Sequence, residues 1–247
     1  MSRYFLEVSY KGTAYAGFQV QQNALTVQEE VEKALEVFLR ERVVCTGSSR
    51  TDAGVHARQN YFHFDFNGEI GERNVYNINA LLPGDIAVKS LREVAADAHC
   101  RFDAKWREYV YRIYGKKDPF IADTAYFFPY TLDMAVMAEV AAVVKEYEEF
   151  EAFSKRRTQV KTYSCKVMES IWEDEGDVKI YRVRANRFLR GMVRGLVGTM
   201  LQVGRGKNSV DGFRKIIEQG NQADVDFSVP GSGLCLERVE FGDGYFG

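Results

Sequence analysis

The chain lacks most of the features that would make its reading quick. Nowhere in its 247 residues does an apolar run approach the ~18 needed for a membrane helix, so no spanning segment is expected. The start, Met1-Ser2-Arg3-Tyr4, carries no signal-peptide apolar core. The four cysteines, Cys45, Cys100, Cys165 and Cys235, are widely spaced with no C-x-x-C. That pattern suits neither a disulfide framework nor a zinc ribbon, and a reducing cytoplasm is the expected compartment. Three histidines, His56, His63 and His99, show no pair at ligand spacing, so no metal site is expected. Gly204-Arg205-Gly206-Lys207 is too short for a phosphate-binding P-loop. The G-x-S-x-G elbow of a serine hydrolase is absent. Repeats and low-complexity segments are also missing. A net charge of -2 argues against a strongly basic nucleic-acid binder, so any such binding must use local patches.

What remains is an ordinary globular composition, 46% hydrophobic and 28% charged, long enough for one large domain or two ordinary ones. Residues 3–10 alternate as a strand, and Lys11-Gly12-Thr13 signals a turn. Thr26-Val27-Gln28-Glu29 reads as a capping box ahead of a helix that buries Val27, Val31, Ala34, Leu35 and Phe38. Strand-like runs end near Thr46 and resume near Asn60. A short helix is expected over 72–82, stopped before Pro83-Gly84, with strands over 85–94 and 102–114. Lys116-Lys117-Asp118-Pro119 is the easiest place for a connector. Helices are then expected over 132–147, 188–203 and 210–219. A strand pair is expected at 165–172 and 178–185, with a closing strand over 233–241. Antiparallel hairpins mixed with helices, without regular βαβ spacing, make the class α+β.

Basic residues cluster despite the acidic total. Arg182, Arg184, Arg187, Arg190, Arg194, Arg205 and Lys207 follow one another with no acid between them. Lys155, Arg156, Arg157, Lys161 and Lys166 form a second run. Arg101, Lys105, Arg107, Arg112, Lys116 and Lys117 form a third, interleaved with Trp106, Tyr109, Tyr111 and Tyr114. Such runs are commonly solvated faces. Interleaving with aromatics suits RNA, whose phosphates need Arg or Lys and whose exposed bases need stacking partners. In the expected 188–203 helix, Arg187, Arg190 and Arg194 are spaced to share a face. Gly191, Gly195 and Gly198 line a neighbouring face and imply close packing of that helix, as on a sheet. Arg194, flanked by Val193, Leu196 and Val197, needs a buried acceptor for its head group.

The chemistry converges on Thr46-Gly47-Ser48-Ser49-Arg50-Thr51-Asp52-Ala53-Gly54-Val55-His56-Ala57-Arg58. Its small residues let the chain bend and let another molecule approach. Read blandly, this is a polar turn with Arg50 and Asp52 in water. Read chemically, Asp52 can serve as a nucleophile if it is ionised and aimed. An arginine beside it, with Arg194 the candidate, would hold it charged. A purely structural Asp–Arg pair is an equally open reading of these residues.

Arg50-Thr51-Asp52-Ala53-Gly54-Val55-His56 resembles the signature of TruA-type tRNA pseudouridine synthases. Tyr15, Gly17, Gln19 and Gln21 resemble that family's Y-x-G-x-Q-x-Q segment, and Val27-Gln28 the helix start after it. Residues 79–88, the block Arg101-Phe102 with Arg107, Tyr109 and Tyr111, and Gly233-Leu234 match in order. So do Asn186, Phe188, Met192-Val193-Arg194, Val197-Gly198 and Val203-Gly204. The resemblance implies the pseudouridine synthase fold: two α/β halves, ferredoxin-like or RRM-like with mainly antiparallel sheet, flanking a central active-site cleft. The halves are expected at 1–104, carrying the Asp52 loop, and 105–247, carrying Tyr109 and Arg194.

It also implies isomerisation of uridine to pseudouridine at positions 38, 39 and 40 of the tRNA anticodon stem-loop, with no cofactor, by a homodimer. Asp52 matches the catalytic aspartate, attacking either the ribose C1′ or the uracil ring. Tyr109 matches the tyrosine that stacks on the flipped base and is placed to assist loss of the C5 proton. Arg194 matches the arginine paired with the aspartate, and Arg50 the arginine that enters the stem where the base leaves. Arg58, Arg107, Arg187 and Arg190 are further candidate RNA contacts. The chain departs from the family pattern at Lys11, usually Asp, at Phe18, usually Trp, and at Gln59-Asn60, usually Gly-Gln. Alternatives are a synthase with a different uridine or RNA target, and a non-catalytic RNA-binding or folding module.

Overall fold

A computed structural model describes residues 1–155 and 161–246; Arg156 and Arg157 of the second basic run lie outside the described residues. In chain order the elements are β1 (Ser2–Tyr10), α1 (Val27–Leu39), β2 (Thr46–Gly47), β3 (His56–Phe66), α2 (Val75–Asn79) and β4 (Ile86–Val94). There follow β5 (Trp106–Tyr114), β6 (Tyr126–Phe127), α3 (Met134–Val144), β7 (Val167–Glu175) and β8 (Val178–Ala185). The last are α4 (Met192–Gly204), α5 (Val210–Gln219) and β9 (Leu234–Glu240). The class is α+β, with mostly antiparallel sheet, as expected. The chain packs as two compact units, Met1–Lys105 with Cys235–Gly247, and Trp106–Leu234.

In the first unit the strands run in the order β4-β1-β3-β9. β1 is antiparallel to both β3 and β4, while β9 joins β3 in parallel at His56 and Ala57. Alternation on β1 sets two faces. Tyr4 and Leu6 lie opposite Phe64 and Phe62, and together with Val8 and Tyr10 they are buried. Helix α1 contributes Val27, Val31, Ala34 and Leu35 to the core, as its periodicity predicts, while Phe38, expected on the same stripe near the helix end, is only half-buried. Thr26 caps it, accepting from the Glu29 amide at 3.3 Å, while the Glu29 carboxylate pairs with Lys33. The other face carries Phe5, Tyr61 and His63, and it is covered by Phe241, Tyr245 and Phe246 near the end of the chain.

In the second unit β5, β8 and β7 form antiparallel neighbours in that order. Helix α3 packs on β7 and on α4, and α4 also meets α5. Asp133 and Ser209 cap α3 and α5, accepting from amides of the first turn.

The helix expected over 188–203 starts later, at Met192. Gly191, at φ +76°, holds a left-handed conformation at its N-cap, so residues before it are not helical. Arg187 and Arg190 therefore do not share a helix face with Arg194. The glycines also meet something other than a sheet. A Cβ on Gly198 would lie 2.1 Å from the Asp226 carbonyl oxygen, and one on Gly195 would meet Val225 and Phe227. The close partner of α4 is the segment 225–229.

Candidate active site

In the first unit, β2 and β3 bracket the Asp52 loop. The Ser48 amide donates to the Tyr61 carbonyl at 2.7 Å, extending the pairing by one step. Asn60, fully buried, then stitches the loop to β3. Its Oδ1 accepts from the Ser49 amide (3.2 Å) and the Tyr61 amide (2.9 Å). Its Nδ2 donates to the Ser49 carbonyl (2.9 Å) and the Tyr10 hydroxyl (3.2 Å). The same Tyr10 hydroxyl lies 2.8 Å from Thr51 Oγ1. On the far side, the Thr51 carbonyl accepts from the Phe18 amide at 3.0 Å. Ser49 and Thr51, the residues flanking Arg50, are thus fixed by groups from β1, β3 and the 15–18 segment.

Asp52 opens a tight turn. Its carbonyl accepts from the Val55 amide at 3.2 Å, and the third residue, Gly54, sits at φ +75°, where L side chains are strained. The turn is seated closely: a Cβ on Gly12 would stand 2.1 Å from the Val55 carbonyl oxygen. The Gly12 amide donates to His56 Nδ1 at 3.0 Å, fixing that buried ring. Asp52 itself is half-buried, Ala53 and Arg50 are exposed, and Thr51 is buried. Among the described residues, Ser48 Oγ and Ser49 Oγ are buried beside this loop with no hydrogen-bond partner.

Of the expected departures from the family pattern, Phe18, Gln59 and Asn60 take structural roles here. Phe18 stacks on Phe62 at 4.6 Å and 14°. Gln59 accepts from the Val239 amide at 3.0 Å and donates to Glu7 and Tyr61, tying β9 to β3. Arg58 is exposed and pairs with Glu237 at 3.2 Å.

The fold brings together His63, His99 and Cys100, whose potential ligand atoms lie within 4.8 Å of one another. Among the described residues this is the group that could hold a metal, and sequence spacing did not reveal it. The Nδ1 atoms of both rings already have partners. His99 Nδ1 accepts from the Arg101 and Phe102 amides, which places the neutral ring's proton on Nε2. His63 Nδ1 accepts from the Cys100 amide and lies 3.2 Å from its Sγ, and Cys100 Sγ donates to the Thr46 carbonyl. Burial, with His99 and Arg3 nearby, pushes His63 down to about 4, so it is neutral at pH 7. Burial pushes the Cys45 thiol well up and Cys165 up to about 11, which fits packing rather than reactivity.

In the second unit, Tyr109 sits on β5 opposite Val183, largely buried, with Phe188 edge-on at 5.1 Å and 85°. Two residues along, Tyr111 donates to the Pro230 carbonyl at 2.8 Å, and burial raises its hydroxyl far above the ordinary range. Arg107, also buried, donates to the Asn186 carbonyl at 3.1 Å. Arg187 donates to Thr162, and Arg190 is exposed. Arg194, half-buried, finds backbone acceptors, one of them on the buried Val229. Its Nε donates to the Val229 carbonyl at 2.8 Å and its Nη2 to the Phe227 carbonyl at 3.4 Å. These two carbonyls orient the guanidinium.

The run Arg182 to Lys207 is acid-poor in sequence but not in space. Arg182 pairs with Glu108 and Glu173, and Arg184 with Glu169, acids supplied by the flanking strands β5 and β7. Arg184 also lies over the Trp106 ring at 5.1 Å, and Arg205 over Tyr130 at 3.7 Å. Sequence reasoning missed Asn60 and Tyr10, which hold the loop, and the 225–229 segment, which holds Arg194. The signal for Asn60 was present: a polar residue inside an otherwise apolar strand run needs partners.

The family model described as tRNA pseudouridine synthase matches residues 7–103 and 147–242. Those segments include Asp52 and Arg194; Tyr109 falls between them. A tRNA pseudouridine synthase A of Parabacteroides distasonis is 43% identical over 248 residues, covering 100% of this chain and 98% of the relative. One from Bacteroides fragilis is 45% identical, covering 98% and 97%. One from Staphylococcus aureus is 37% identical, covering 96% and 90%.

Proposed function

The chain belongs to the tRNA pseudouridine synthase family, and from that premise we propose that it isomerises uridine to pseudouridine at positions 38, 39 and 40 of the tRNA anticodon stem-loop. The observation that carries the reading is the pairing of a family match on both sides of the chain with an Asp52 presented at the head of a glycine turn. In the proposed roles, Asp52 is the nucleophile, Tyr109 the aromatic partner of the target base and Arg194 the cationic counterpart of the carboxylate. Arg50, Arg58, Arg107, Arg187 and Arg190 contact RNA.

The reaction conserves atoms. Attack by the Asp52 carboxylate, on C1′ or on the ring, leads to loss of the C1′–N1 bond. The uracil turns, a C1′–C5 bond forms, the bond to Asp52 breaks and returns the free carboxylate, the C5 proton leaves and N1 gains one. C1′–N1 and C5 cannot both be reached inside a helical stack, so the nucleotide must be flipped out. A carboxylate facing a polyanion is costly unless a cation holds it charged. An Arg194 anchored by carbonyls suits that task. The resemblance further supports a cytoplasmic homodimer. Among the described residues no helix is long and apolar enough to cross a membrane.

The test uses anticodon stem-loop RNA tritiated at uracil C5, following tritium released to water. Release is expected from the native chain and not from Asp52→Asn. No release by the native chain would remove the enzymatic reading in favour of an RNA-binding module. Undiminished release by Asp52→Asn would remove the nucleophile assignment. Transcripts altered singly at 38, 39 and 40 separate the proposed target from another uridine.

A further inference from the structure

Arg194 is aimed by two carbonyls that belong to a segment with little regular structure of its own. Something must keep Phe227 and Val229 facing it. Helix α4 does this along one stripe, using residues 195, 198, 199 and 202, spaced to share a face. Gly195 and Gly198 let the segment approach to backbone contact. Thr199, buried, donates its hydroxyl to the Gly195 carbonyl at 2.8 Å and accepts from the Asp226 amide at 3.1 Å. Gln202 Nε2 donates to Asp226 Oδ2 at 2.8 Å. The other carboxylate oxygen, Oδ1, accepts from the Ser228 amide at 2.8 Å. Asp226 therefore grips α4 with one oxygen and the residue between the two Arg194 acceptors with the other.

We infer that Asp226 is the positioning residue for Arg194, an assignment that rests on the catalytic role proposed for that arginine. It acts through the backbone: Gln202 and Thr199 fix Asp226, Asp226 fixes Ser228, and the peptides on either side of Ser228 present the Phe227 and Val229 carbonyls to the guanidinium. Burial raises the Asp226 carboxyl and the bonds from Ser228 and Gln202 outweigh that, leaving it below the usual range and ionised at neutral pH. Misplacing a catalytic group by an ångström can cost about 100-fold in rate, so a loosened segment should lower kcat while leaving RNA affinity alone.

The test compares Asp226→Ala, Asp226→Asn, Gln202→Leu and Arg194→Lys in the full chain, reading kcat and KM for tritium release and the melting temperature. Asp226→Ala and Gln202→Leu are expected to lose roughly tenfold or more in kcat with KM held within about twofold. Asp226→Asn, which keeps an oxygen for Ser228, should recover much of that loss. In an Arg194→Lys background, Asp226→Ala should add no further fall, because the group it positions is already gone. Gln202→Leu, which removes a single bond, serves if Asp226→Ala does not fold. Full kcat in Asp226→Ala and Gln202→Leu beside a disabled Arg194→Lys would refute the positioning role alone, as would additive losses. Full kcat in Arg194→Lys would refute the role of Arg194 and the positioning with it.

Discussion

Removing the Asn60 side chain tests whether the Asp52 loop is held from beneath. Asn60 makes four side-chain hydrogen bonds, two of them to the amide and carbonyl of Ser49. In Asn60→Ala both Ser49 groups lose this partner, as does the Tyr10 hydroxyl. A buried donor or acceptor left unmet costs about 1–3 kcal/mol, so the two Ser49 groups alone cost roughly 2–6 kcal/mol. A water entering the vacated space would offset part, and about 3–4 kcal/mol is the expected loss. That is a large share of the ~5–15 kcal/mol stability of a typical domain. Urea unfolding should show a lower midpoint at an unchanged slope. Tritium release should fall too, since Thr51 loses its relay through Tyr10. Asn60→Asp should be worse still at neutral pH, because it presents a buried charge to the Ser49 carbonyl. Its folded pKa would then lie above the unfolded value, so that variant should gain stability as pH falls. A loss below about 1 kcal/mol in Asn60→Ala would refute the account of the loop.

Further expectations follow from single contacts. Gly12→Ala drives a methyl into the Val55 carbonyl, and overpacking of this kind costs about 1–3 kcal/mol, read as a lower melting temperature with reduced activity. His63, held near 4 when folded against about 6.5 unfolded, makes the unfolded state the better proton binder between those values. Its stabilising contribution is therefore complete above about pH 6.5 and lost as pH falls toward 4. Melting curves from pH 7 to 4.5 should show that slope, flattened in His63→Gln. Arg58→Ala breaks an exposed pair with Glu237 and should change stability by no more than about 1 kcal/mol. As a phosphate contact, the same change should weaken RNA binding and reduce the salt slope of log K by about one. Arg194→Met should lose tritium release more than it loses RNA binding; equal losses would make Arg194 a phosphate contact instead.

The sequence by itself determined the elements whose signals are local. Alternation in 3–10 and 178–185, the Thr26 cap and the period of α1 and α5 depend on neighbours within a few residues, and the structure has them at those places. The turn at Asp52 and the need of Arg194 for acceptors were equally legible, because both are statements about one residue among its immediate flanks. Tertiary structure decided what depends on distant partners. The late start of α4 rests on one glycine conformation, which outweighs the apolar run that suggested helix from 188. The basic run ending at Lys207 is partly neutralised by acids from β5 and β7, which only strand register brings opposite. His63, His99 and Cys100 meet because the chain after β4 returns beside β3. The final strand joins β3 in parallel, across nearly the whole length of the chain, and clusters from Cys235 onward with the first unit. Asn60 and Asp226 acquire their roles only from groups that folding brings to them, since a polar side chain states that it needs a partner without stating which.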